Sequence, residues 1–91
     1  MVVPVTDWVL TSHAKAEMAR RSISEQTVMD VLSRPEQRHS VRMGREVLQS
    51  RIVLEGAHYI VRVFVDTDRI PAEVVTVYRS SKIAKYWRHN P

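Results

Sequence analysis

The apolar positions along this chain change their spacing twice. Between Ser12 and Arg21, Ala14 and Met18 stand four apart, with His13, Glu17 and Arg20 on a neighbouring line, which is the period of a helix. Ser12 offers the N-cap, because its hydroxyl can accept from an orphan amide of the first turn. A second helix is predicted at once. Ser24 caps it, Ile23 packs back on Val28 as a hydrophobic staple, Val28, Val31 and Leu32 repeat at helical spacing, and Pro35 ends the run. A tight turn at Ser22 joins the two helices.

Beyond Pro35 the period shortens to two. Residues 37–43 predict a weak strand. Leu48, Ser50, Ile52 and Leu54 then alternate with Val47, Gln49, Arg51 and Val53, as in a strand better covered on one side. Glu55, Gly56 and Ala57 fit a hairpin turn, because Gly56 can take a positive φ. The run "HYIVRVFVD" sets Tyr59, Val61, Val63 and Val65 on one face and predicts the central strand; "AEVVTVYR" predicts another. From about Ser81 the spacing is helical again, with Ile83, Tyr86 and Trp87 on one face and Lys82, Lys85 and Arg88 outward. Residues 5–11 read as a short extended lead-in. The expected fold is α+β: two N-terminal helices packed on a three- to four-stranded antiparallel sheet, with a short C-terminal helix.

Composition narrows the class. Ninety-one residues, 44% of them apolar, with two glycines and four prolines, predict one globular domain over 1–91. The absence of cysteine points to a reducing, cytoplasmic setting, and it removes thiolate zinc sites and cysteine nucleophiles. The opening MVVPVTDWVL shows neither a basic leader nor a membrane span. The net charge of +4 favours an anionic partner, nucleic acid or acidic protein, or else serves solubility alone. His13, His39, His58 and His89 lack paired metal spacing, no glycine loop is present to cradle phosphate, and no carboxylate cluster suggests a magnesium nuclease. No metal and no cofactor is called for.

The side chains left for chemistry are His, Arg, Lys and Tyr. His13, at a helix start, sits near the positive end of the dipole, which favours the neutral imidazole a general base needs; a plain surface histidine is the alternative. Arg62 interrupts the most apolar strand and is costly there unless an anion meets it. Glu46 or Asp66 could be that anion, and so could a phosphate. Tyr78, Arg79, Ser81, Lys82 and Lys85 form the densest cluster. Tyr78 and Arg79 can line one site only if the chain bends at Ser80–Ser81, where a helix start would also favour an anion. The alternative puts Tyr78 in the core and the lysines on a solvated face.

These residues carry a resemblance. "SHAKAEMARRSIS" resembles the opening S-x-H-A-x-x-R-M-x-x-R-G-I-S of a family of small bacterial and phage domains, and "VVTVYRSSKIAKYW" resembles its close. That family is similar to the BrnT and RelE toxins of type II toxin–antitoxin modules, which belong with barnase and colicin nuclease domains among metal-independent ribonucleases. His13, Ala14, Met18, Arg21, Ile23 and Ser24 match the pattern; Glu17 stands where an arginine is common and Ser22 where a glycine is. The resemblance implies an endoribonuclease that cleaves by 2′-hydroxyl attack and inhibits translation. His13, Arg62, Tyr78 and Arg79 would be catalytic, and Arg21, Ser81, Lys82 and Lys85 would bind RNA. It also implies RNA as substrate, ribosome-bound mRNA included, and a cognate antitoxin protein as partner. Glu17, an anion beside His13, favours a different class: a catalytically silent module on the same scaffold, binding protein or nucleic acid in a basic groove.

Overall fold

The computed structural model describes residues 2–89. In chain order they form β1 (Trp8–Leu10), α1 (Ser12–Arg20), α2 (Glu25–Ser33), β2 (Gln37–Arg42), β3 (Arg45–Leu54), β4 (Ala57–Asp66), β5 (Ala72–Ser80) and α3 (Ile83–Tyr86). The five strands make one mixed sheet in the order β1-β5-β4-β3-β2. Four of them are antiparallel neighbours, as the alternation predicts. The lead-in supplies the fifth: Trp8–Leu10 pairs with Ala72–Val74 in parallel. The sheet is therefore mixed, where an antiparallel one was expected.

The helices form where the sequence places them, with small shifts at the ends. Thr11, one residue before Ser12, is the N-cap of α1; its Oγ1 accepts from the Ala14 amide at 3.1 Å. The same hydroxyl donates to the Val74 carbonyl at 2.9 Å, so one residue caps the helix and pins its start to β5. Ser24 caps α2, and Ser22 turns between the helices with φ of 54°, a left-handed conformation that glycine adopts at less cost. Glu55 and Gly56 make the β3–β4 hairpin with φ of 52° and 78°.

Both longer helices pack on one face of the sheet. Ala14, Met18, Val28, Val31 and Leu32 meet Leu48, Val61, Val63, Val65, Val74 and Val77 there in a single core. Burial on this scale, at about 25 cal/mol per Å² of apolar surface, is what holds a domain of this size. Alternation along the strands consigns Gln49, Arg62 and Tyr78 to the opposite face, which neither α1 nor α2 covers. Among the described residues no helix is long and apolar enough to cross a membrane.

Candidate functional site on the open sheet face

Register aligns four polar side chains across four strands. Gln37 on β2 lies opposite Gln49 on β3, Gln49 opposite Arg62 on β4, and Arg62 opposite Tyr78 on β5. They are joined by hydrogen bonds along the row. Gln49 Nε2 donates to Gln37 Oε1 at 2.8 Å, Arg62 Nε donates to Gln49 Oε1 at 2.8 Å, and Arg62 Nη1 donates to the Tyr78 hydroxyl. Gln49 is fully buried, so its amide fixes the plane of the guanidinium beside it.

Aromatic rings surround Arg62. Its guanidinium carbon lies 4.5 Å from the centroid of Tyr86, 5.2 Å from Phe64 and 5.5 Å from Tyr78. Tyr78 stacks on Phe64 and meets Tyr86 edge-on. Arg21, at the end of α1, reaches the Tyr78 ring from its other flank, 5.7 Å from the centroid. Burial pushes the Tyr78 hydroxyl up from its ordinary pKa against the opposing effect of Arg62, and the neighbouring Tyr86 adds to the rise. Tyr78 is therefore protonated at neutral pH. Its oxygen accepts from Arg62, and the Tyr86 hydroxyl is its other polar neighbour.

Neither expected carboxylate meets Arg62. Glu46 belongs to the helix-side parity of β3 and takes Arg38 in a two-bond pair at 2.9 and 2.8 Å. Asp66 takes Arg45 at 2.7 and 3.1 Å, the residue opposite it in register. Those guanidiniums hold both carboxyls below their ordinary range. Arg62 thus has only neutral partners among the described residues, and its Nη2 hydrogens have no protein acceptor there.

The C-terminal segment borders the row. Gln49 Nε2 donates to the Tyr86 carbonyl at 3.0 Å. The Gln37 side chain grips the Arg88 backbone, accepting from its amide at 3.0 Å and donating to its carbonyl. Trp87 stacks under Arg51, 3.9 Å from guanidinium to ring centroid. His39, two residues from Gln37 and opposite Val47, stands half-buried on the same face. Burial, then the positive charges of Arg88 and Arg62, lower its pKa.

The residues singled out from sequence divide into two sets. Arg21, Arg62 and Tyr78 come together, and Lys85 lies beside them, its Nζ 5.3 Å from the Tyr86 ring centroid. Ser81 and Lys82 are exposed just beyond β5; the chain bends only at Ser81, after Tyr78 and Arg79, because the pairing with β4 runs in unbroken register from Thr76 to Ser80, which pairs with Ile60. Tyr78 and Arg79 therefore point to opposite faces. Arg79 lies on the helix side, 4.6 Å from the Tyr59 ring centroid and 3.7 Å from Glu55. His13 is exposed in the first turn of α1, at the end pinned to Val74, while Arg21 at the other end meets Tyr78. Eight residues of helix put about 12 Å between them. His13 and Arg79 thus do not join Arg62 and Tyr78 in one pocket. Glu17 is engaged by Arg20 and lies 3.7 Å from Arg21. Gln37, Gln49, Tyr86, Arg88 and His39 were not expected at a site; their parity with Arg62 is the signal, readable once the strand register is known.

A sequence profile of the family described as "Domain of unknown function (DUF4258)" matches residues 10–79, more than half of the chain. No curated protein matches, and no solved structure does.

Proposed function

We propose that this chain, which belongs to the DUF4258 family, binds RNA on the open face of its sheet and cleaves it without a metal, as the toxin of a type II toxin–antitoxin module. The observation that carries this reading is Arg62: a half-buried guanidinium on the sheet face that α1 and α2 leave free, bordered by the C-terminal segment, held by neutral partners and with a free edge among the described residues. Such a group costs folding energy unless it meets an anion in use. A phosphodiester supplies that anion, and Arg62 matches it with two parallel N–H donors. Arg21 adds charge, and the Tyr78 hydroxyl donates to a non-bridging oxygen as the phosphorane forms. Tyr86 and Trp87 offer ring faces for flanking bases. Lys82 and Lys85 steer the backbone in, and an antitoxin covering this face would silence it.

The silent-binder reading draws support from one observation: His13 stands apart from Arg62, so the base expected from sequence does not serve this face. One experiment separates the two. The purified protein is incubated with single-stranded RNA in EDTA, and the ends of any fragments are identified. Cleavage to 2′,3′-cyclic phosphate and 5′-hydroxyl ends is the expected result. Salt-sensitive binding with intact RNA would leave only the binding module.

A further inference from the structure

We infer that His39 is the general base of this site, taking the 2′-hydroxyl proton of an RNA strand whose phosphate is held by Arg62. The inference rests on the ribonuclease reading above and assigns the step that His13 cannot serve from the far end of α1.

Three observations place His39 there. By strand parity it shares the open face with Gln37, Gln49 and Arg62, since Gln37 two residues earlier bonds Gln49 on that face. Two strand spacings and two residues of rise separate the Cα atoms of His39 and Arg62 by about 12 Å. Arg62 leans toward β3 through its bond to Gln49, so the interval between imidazole and guanidinium suits a nucleotide rather than a direct contact. His39 also lines a cavity of about 200 Å³ with Gln37, Arg38, Glu36, Val2 and Arg88. Finally, its ring nitrogens have no hydrogen-bond partner among the described residues, although the residue is half-buried.

The charges around the ring favour the neutral form. Arg62 on β4 and Arg88 on the C-terminal segment face it, and Arg38 and Glu36 rim the same cavity from its own stretch of chain. Glu36 is occupied by Arg51, with bonds at 3.1 and 2.9 Å, and Arg38 by Glu46, so among the described residues the unpaired charges near the ring are both positive. They oppose protonation at rest and add to the positive field on the phosphate.

The step balances without a further reactant. The imidazole takes the 2′-hydroxyl proton, and the 2′-oxygen forms a bond to phosphorus. The P–O5′ bond breaks with its electron pair on the 5′-oxygen, which takes a proton from water. The imidazolium then releases its proton to solvent.

The test compares wild type with His39→Gln on the same single-stranded RNA, following rate, RNA affinity and pH profile. The expected result is a loss of about 100-fold or more in turnover, affinity changed less than about threefold, and disappearance of the acid limb of the profile. Imidazole added to His39→Ala should restore part of the rate. In wild type, diethyl pyrocarbonate should inactivate in step with modification of His39, not of His13, His58 or His89; this arm is independent of how the variants fold. An active wild type whose rate and acid limb survive both His39→Gln and His39 modification overturns the role of His39 and leaves the ribonuclease reading standing. A wild type that binds RNA but never cleaves it overturns both.

Discussion

Replacing Arg62 by alanine should lower RNA cleavage by about 10²–10³-fold, the loss that follows when one preorganised donor to a developing oxyanion is removed. The geometry gives the reason. Gln49 and Tyr78 fix the guanidinium plane before substrate arrives, so no side-chain ordering remains to be done at the transition state. Arg62→Lys keeps the charge and loses both the fork and the bond to Gln49 Oε1. It should recover no more than about a tenth of the lost activity. Turnover measured beside a urea melt separates chemistry from folding. Unchanged turnover in a folded Arg62→Ala protein would remove Arg62 from the site.

Gln49→Leu should be the most damaging polar-to-apolar change on this face. Gln49 is fully buried and holds three groups at once: Arg62 Nε, Gln37 Oε1 and the Tyr86 carbonyl. Leucine fits the volume but bonds none of them. Gln37 Oε1 keeps the Arg88 amide, whereas Arg62 Nε and the Tyr86 carbonyl lose the partner they have among the described residues. At about 1–3 kcal/mol for each polar group left unsatisfied, the expected loss is about 2–6 kcal/mol. Urea unfolding reads that loss. Tryptophan fluorescence should also shift before global unfolding, because Trp87 follows Tyr86 and its tether. A Gln49→Leu protein as stable as wild type, with unchanged Trp87 emission, would show that the row of side chains does not organise the face.

Local signals in the sequence carry much of this fold. The Ser24 cap, the Gly56 hairpin and the alternation of β4 each depend on residues close together in the chain, and each forms; Ile23 and Val28, on either side of that cap, are both buried in the one core. The parallel pairing of β1 does not announce itself, because three residues find their partner more than sixty positions away. The same division applies to the site. Arg62 was conspicuous because an arginine inside an apolar strand demands an anion. Its true neighbours, Gln49 and Tyr78, are set by register, which no local pattern fixes. Tyr78 and Arg79 look like one cluster in sequence and diverge in space because β5 keeps its register with β4 from Thr76 to Ser80. His39 is hard to read from sequence for a related reason. It sits on a weakly patterned strand, and its nearness to Arg62 appears only when β2, β3 and β4 are laid side by side.

Which face of the sheet meets RNA can be read residue by residue by NMR, titrating the protein with a short single-stranded RNA carrying 2′-deoxy substitutions that block cleavage. Shifts concentrated on the Arg62 side-chain Nε–H, the Tyr78 and Tyr86 rings and the His39 imidazole, with His13 and Arg79 unmoved, are the predicted result. Shifts gathered at His13, Arg79 and the outer faces of α1 and α2, with Arg62 silent, would contradict it.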